Sequence, residues 1–312
     1  MAPRWWCRRV RGRKGSGSQS DSDDAKLNVA FVTDVEGNFE YLARFVARSV
    51  ALTLERIDAE DGSMHLALAD GWMLLFGGDA CDKGGAVGGT LRVVRTLVRL
   101  KRRYPERVTL LLGNRDINKI RMTSELAPPE LRNYAEMPGP SWVAADRRVS
   151  PEMHLRRQCA RTHGVPPEEV NAEMLERANT LAERIRWMLK ETMGSDGEFD
   201  RRRAELTLLR QQCPPRGASP DQAQAEQVSE EDTARSFVES VQAGGCIYDL
   251  LQLGQVRAHG AAKHPAPPTP PCSVPRMPGL TRGAKDVLRR ASTCVQLMPP
   301  RVPTAHVAIA CP

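Results

Sequence analysis

The 312 residues are 41% hydrophobic, ample for one large α/β domain or two small ones, and carry a formal net charge of +7. That charge lies on the flanks. Residues 1 to 25 hold six Lys/Arg against three acids, and from Arg257 onward eight Lys/Arg face the single Asp286, which leaves the middle at −3. Basic flanks without interleaved aromatics beyond Trp5-Trp6 argue against a nucleic-acid module. No apolar window approaches the length of a membrane span. Eight cysteines without C-x-x-C pairs argue for reduced thiols in an intracellular setting, not a disulfide framework or structural zinc.

In chain order, residues 1–25 join an Arg-rich start to a Gly/Ser/Asp stretch with no apolar h-region. They read as disordered, with a transit peptide or a basic localisation patch as alternatives; the expected compartment is the cytoplasm, organellar targeting staying open. The runs Val29–Thr33, Trp72–Phe76 and Val108–Leu112 are short, apolar and bounded by Gly or Asp, as buried strands of an α/β sheet are. Phe39, Leu42, Phe45, Val46 and Val50 recur at helical spacing after the first run. Met64–Leu68 and Trp72–Phe76, joined by Asp70-Gly71, read as a hairpin. Leu91, Val94, Leu97 and Val98 mark a second helix, with Arg92, Arg95, Arg99, Lys101, Arg102 and Arg103 expected on a solvated face.

Each of the three apolar runs is followed by a short acidic motif: Asp34-Val35-Glu36-Gly37-Asn38, Gly78-Asp79-Ala80-Cys81-Asp82-Lys83-Gly84 and Gly113-Asn114-Arg115-Asp116. Ligands in open α/β sheets sit at the carboxyl ends of strands, and oxygen donors converging there suit a hard divalent cation. Any one of the motifs alone has a structural explanation: Gly-Asp and Gly-Asn are ordinary turn dipeptides, and Asp34 could cap the helix beginning near Asn38. The Gly-rich stretch Gly77–Gly89 spells neither a P-loop nor a dinucleotide fingerprint; Gly84, Gly85, Gly88 and Gly89 are expected to form a flexible loop near a phosphate site. Cys81, between two carboxylates, reads as a packing residue with a raised thiol pKa.

In order and content the three motifs resemble those of the calcineurin-like metallophosphoesterase superfamily, D-x-H, G-D-x-x-D-x-G and G-N-H-[ED]. The resemblance implies an α/β sandwich and hydrolysis of a phosphate ester by a metal-activated water. It also implies divalent ions (Mn, Fe, Mg or Zn), two in the complete family site. Carried over residue by residue, it makes Asp34, Asp79 and Asn114 metal ligands, with Asp79 shared between both ions. Asp82 supports the site from behind, and Lys83 stands where a basic residue helps hold phosphate. Two positions depart from the family pattern. Glu36 replaces a His and would give the metal a carboxylate. Arg115 replaces the His that protonates the leaving group; an Arg cannot release that proton near neutral pH, so it clamps phosphate or stabilises charge.

From about 128 to 245 the chain turns Glu/Arg-rich and helical, with Leu175, Leu181, Ile185, Met188 and Leu189 on one amphipathic face and a polar loop at Pro214–Gln227. This resembles a helical insertion, within a phosphoesterase domain spanning 26–256, and offers a surface for a protein partner. His154 and His163 lack partners at ligand spacing and read as surface or packing residues. Residues 257–312 hold 11 of the 23 prolines and read as disordered. The family's lone His and Gly-His-x-His motif do not occur there, so His259, His264 and His306 are not assigned and the metal centre is expected to be incomplete. A truncated or misread gene product and a catalytically inactive scaffold are both compatible with that gap. The substrate is expected to be a phosphate ester, with no membrane or nucleic-acid partner.

Overall fold

A computed structural model describes residues 28–85, 87–212 and 227–256. The expectations for residues 1–25 and 257–312, and for nearly all of the polar loop at Pro214–Gln227, lie outside the described residues. Strands β1 (Asn28–Val32), β4 (Trp72–Phe76) and β5 (Val108–Leu110) form one parallel sheet in the order β1-β4-β5, while β2 (Leu52–Ile57) and β3 (Met64–Leu68) form a separate antiparallel pair. The class is mixed α/β.

The parallel sheet has a register that decides where the motifs go. Val32 lies opposite Phe76, and Phe76 opposite Leu110, so the three strands end in one row. The chain leaves β1, β4 and β5 within two or three residues of that row, directly into the three acidic motifs. After the helical segment the chain returns to the far edge of the sheet: Gln255 bridges Leu111 in parallel, its N–H donating to the Leu110 carbonyl at 2.8 Å and its carbonyl accepting from Leu112 N at 2.8 Å.

The expected hairpin of Met64–Leu68 with Trp72–Phe76 does not form. Strand β3 pairs with β2, and β4 is the central strand of the parallel sheet. The reason is in the residues: Trp-Met-Leu-Leu-Phe is a continuous apolar run suited to a central parallel strand, whereas the exposed pattern of Leu52–Ile57 fits a peripheral antiparallel partner. Asp70-Gly71, with Gly71 at φ +72, turns the chain into a different sheet instead of closing a two-strand ladder.

Helix α1 (Phe39–Arg48) is capped by Asn38, whose Oδ1 accepts from Tyr41 N at 2.9 Å, and buries Leu42, Phe45 and Val46. The cap is therefore Asn38 and not Asp34. Helix α2 (Thr90–Arg103) buries Leu91, Val93, Val94, Leu97, Val98 and Leu100. Its basic face is solvated only toward the C-terminal end, where Arg102 and Arg103 are exposed, and its arginines are engaged in pairs. Arg92 is buried, donating to Glu205 at 3.4 Å and to the Gly88 carbonyl at 3.0 Å and lying over the Phe39 ring. Arg99 pairs with Asp58 at 2.6 Å and Asp61 at 3.0 Å, and Arg103 pairs with Glu55 at 2.5 Å. The helix and the β2–β3 pair are joined by these ion pairs, which charge-run counting alone cannot foresee.

The segment after β5 is helical: α3 (Asn114–Asn118), α4 (Met122–Glu125), α5 (Pro128–Arg132), α6 (Pro151–His163), α7 (Ala172–Ala178), α8 (Leu181–Trp187), α9 (Glu198–Gln212), α10 (Glu230–Val241) and α11 (Cys246–Leu253). Its Ile185, Trp187, Met188, Phe199, Phe237, Ile247 and Leu250 join the same apolar core as the sheet and α2, while Leu155, Cys159, Val170 and Leu175 form a small second core. His154 bonds Glu183 at 3.1 Å within this packing. Among the described residues no helix is long and apolar enough to cross a membrane.

The turn after β2 offers a test of the charge network. His65 and the Glu60 amide, and then Arg99, hold the Asp58 carboxyl well below the usual carboxylate range. A depressed pKa contributes stability at pH values above that of an ordinary aspartate, about 3.9, and the contribution is lost as pH falls below it. Asp58→Asn is expected to lower the melting temperature at pH 7, with the gap to wild type narrowing steadily below about pH 4; a gap independent of pH would show that the carboxylate charge is not what matters.

Candidate active site

Five non-glycine residues adopt positive φ among the described residues: Asp34 (50°), Glu36 (47°), Asp79 (54°), Asp82 (71°) and Lys83 (51°). All five belong to the first two motifs. A left-handed conformation costs an ordinary residue about 1–2 kcal/mol, and such residues persist only where their surroundings over-determine them. Here the surroundings are each other. Beyond the strand ends the two loops continue to pair, Asp34 N donating to the Gly78 carbonyl at 3.1 Å, Glu36 N to Asp79 at 2.8 Å and Gly37 N to Ala80 at 2.8 Å.

The third motif is joined to the second by Asp116, a residue to which sequence reasoning assigned no task. Its fully buried carboxylate accepts from Ala80 N at 2.9 Å and Cys81 N at 3.1 Å through Oδ1, and from Gly113 N at 3.0 Å through Oδ2. Burial raises its pKa to about 6, with these amide bonds opposing the rise. Gly113 sits so close to the second loop that a Cβ there would collide with the Asp79 carboxylate and amide. Of the glycines expected to form a flexible loop, Gly84 and Gly89 are likewise packed, a Cβ at either striking the Gly37 carbonyl oxygen, whereas exposed Gly85 has room for one. Backbone contact between loops requires the packed glycines, so freedom of the loop is not their purpose.

On the rim itself, Asp34 is exposed and its Oδ1 accepts from Thr33 Oγ1 at 2.6 Å. Asp79 is half-buried, and its Oδ1 accepts from Arg115 N at 3.1 Å. Burial raises the Asp79 pKa first; the Arg115 amide opposes the rise, and the negative charges of Asp34 and Glu36 add to it. Glu36 accepts from Arg115 Nε at 2.9 Å and faces Lys83 Nζ at 3.4 Å. Asn114 lies exposed in the first turn of α3. The fold thus brings all the metal and phosphate residues expected from sequence to neighbouring loops at one end of the sheet.

Behind the rim, Asp82 is fully buried, its Oδ2 accepting from Lys119 Nζ at 2.5 Å and from Ser195 Oγ at 2.6 Å. Its main-chain N–H donates to Thr90 Oγ1 at 3.1 Å, and Thr90 Oγ1 donates in turn to Glu198 at 2.9 Å. Burial, and next the charge of Asp82, push the Glu198 carboxyl up to about 7. The Cys81 thiol is pushed well up, by burial and then by Asp116, and is no nucleophile. Lys119, Ser195 and Glu198 were not foreseen. Lys119 lies only three residues beyond the third motif, but no local pattern links Ser195 or Glu198 to a loop more than a hundred positions earlier.

The donors fit a divalent cation in chemistry: Asp34, Glu36, Asp79 and Asn114 are all oxygen ligands, and a cation would reverse the like-charge crowding that raises Asp79. In geometry Glu36 is turned to Arg115 and Lys83, and among the described residues no three His, Cys, Asp or Glu side chains are gathered as a metal-holding group. In comparisons with known proteins, no family model, no curated protein and no solved structure matches the chain.

Removing the Asp116 carboxylate tests the joint between the loops. Asp116→Ala would leave the buried amides of Ala80 and Cys81 without an acceptor, each a penalty of about 1–3 kcal/mol, and free the part-buried Gly113 amide as well. Chemical denaturation is expected to show a loss of several kcal/mol, far above that of a conservative substitution on the surface. A loss under about 1 kcal/mol would mean that the loops hold together without it.

Proposed function

We propose that the rim is the site of a metal-dependent phosphoesterase built on a calcineurin-like α/β scaffold. The observation that carries the proposal is the confinement, among the described residues, of positive-φ non-glycine residues to the first two motifs, which bring Asp34, Glu36, Asp79 and Lys83 beside Asn114 and Arg115. Strain of this kind is concentrated where side chains must be held for chemistry. Asp34, Glu36, Asp79 and Asn114 would hold the cation. When bound, a divalent ion supplies Lewis-acid activation of water and of a phosphoryl oxygen.

The chain's own residues have distinct tasks beside it. Lys83, exposed on its stem, offers a mobile point charge to a phosphate oxygen, while Arg115 offers a planar fork. Arg115 holds positive charge against the phosphoryl group but donates no proton to the leaving oxygen, so leaving-group protonation falls to water. Asp79 is oriented by the Arg115 amide, and Asp82, which is buried, acts only by supporting the second loop from behind. Substrates with good leaving groups are favoured by such a site, aryl phosphates above alkyl ones.

A second reading is a phosphoesterase-fold scaffold without turnover, favoured by the pairing of Glu36 with both Arg115 and Lys83. Metal analysis and turnover of an aryl phosphate with added manganese separate the two. The enzyme reading expects manganese binding that Asp79→Ala abolishes, and manganese-dependent turnover without the falling limb at high pH that a histidine general acid imposes. Arg115→Ala is expected to weaken inhibition by phosphate or vanadate roughly tenfold while the metal stays bound, as loss of a charge-assisted contact does. Unchanged metal content in Asp79→Ala would sink the ligand assignment; phosphate binding with no turnover would establish the scaffold.

A further inference from the structure

Helix α8 runs into a π-helical turn, Met188–Thr192, and the chain then reverses through Gly194 and Gly197, both at positive φ, before α9 begins. This short connection lies against the backs of the acidic motifs. Met193 Sδ stands 3.7 Å from Lys119 Nζ, Ser195 bonds Asp82, and Glu198 bonds Thr90. Ser195 is fully buried and also meets Arg115, whose Nη1 donates to Ser195 Oγ at 3.1 Å and to the Gly194 carbonyl at 3.3 Å.

A serine hydroxyl has one proton and two lone pairs. The proton has two acceptors within reach, the Met193 carbonyl at 3.2 Å and Asp82 Oδ2 at 2.6 Å. The shorter bond to the buried carboxylate prevails, because charge-assisted bonds are about twice as strong as neutral ones. With its proton committed to Asp82, the hydroxyl presents lone pairs to Arg115. The guanidinium is then held at Nε by Glu36 and at Nη1 by the connection, and Nη2 has no hydrogen-bond partner among the described residues. Because the group is planar, fixing Nε and Nη1 also fixes the direction of Nη2.

We infer that Ser195 is a positioning residue for the phosphate site: it ties Arg115 to buried Asp82 and so aims the unpaired Nη2 edge at an oxyanion bound on the rim. The inference rests on the phosphate reading of the rim and makes the helical segment part of that site. It acts through Arg115 alone, since buried Ser195 touches no ligand.

Orthovanadate binding by calorimetry, in the full chain with manganese, tests it across Ser195→Ala, Ser195→Thr and Ser195→Cys, each in wild-type and Arg115→Ala backgrounds. The Arg115 Nη1–H resonance, read in metal-free protein, provides a readout independent of any ligand. Ser195→Ala is expected to weaken vanadate binding about tenfold in the wild-type background and not in Arg115→Ala, as coupled residues behave. Ser195→Thr should restore binding, while Ser195→Cys, close in size but a poor acceptor, should resemble Ala. The Nη1–H signal should be protected in wild type and Ser195→Thr, and lost to fast exchange in Ala and Cys.

An equal loss in the Arg115→Ala background, or an unchanged Nη1–H signal in both the Ala and Cys variants, would overturn the inference. Should the alanine variant not fold, the cysteine variant decides on the same criteria. Wild-type protein that does not bind vanadate would remove the phosphate reading, and the Nη1–H comparison would still decide whether Ser195 positions Arg115.

Discussion

One buried carboxylate, Asp116, accepts three main-chain amides from two loops that are more than thirty residues apart in sequence. The geometry of the rim depends on that joint. The second loop carries Asp79, Asp82 and Lys83 in left-handed conformations that no isolated loop would prefer. On one side it is paired to the first loop by main-chain bonds, and on the other it is bound to the third by Asp116 and by the close approach of Gly113. Each of these contacts makes the others geometrically necessary.

The same logic extends behind the rim, where charge is buried and must be matched. Asp82 and Glu198 face Lys119 in an interior that excludes water, and removing one member of such a set leaves an uncompensated charge. Half of this matching comes from the helical segment. Glu205 of α9 accepts from the first amides of α2, Leu91 N at 3.1 Å and Arg92 N at 3.0 Å, and Glu198 holds Thr90 in the same first turn. The segment is thus no appendage. It shares the apolar core of the sheet and supplies carboxylates to the helix that follows the second motif.

Much of the architecture was legible in the residues. Strands β1, β4 and β5 show as short unbroken apolar runs, and α1 and α2 as helical periodicity, although β1 is buried on one face only and leaves Val29 and Phe31 exposed, so the expectation of a fully buried strand fails there. One strand without a sequence signal and one paired with the wrong neighbour illustrate the limit. Leu52–Ile57 alternates weakly and lies mostly exposed, so it carries little hydrophobic signal, and its partner Met64–Leu68 was paired instead with the neighbour an Asp-Gly turn suggested. Turn chemistry says where a chain bends, but not whether the next strand joins the same sheet.

By itself the sequence determined which residues would stand on the rim, because a motif placed directly after a buried strand must emerge at that strand's end, and three such strands in one register must emerge together. Tertiary structure alone decided how those residues are held. The turning of Glu36 to Arg115 and Lys83, the ion pairs that consume the α2 arginines, the packing of Gly84 on Gly37 and the link from Ser195 to Asp82 are contacts between distant positions. Periodicity and motif spacing report only local constraints, whereas a buried polar group takes its partner from whichever element the fold brings within hydrogen-bond reach.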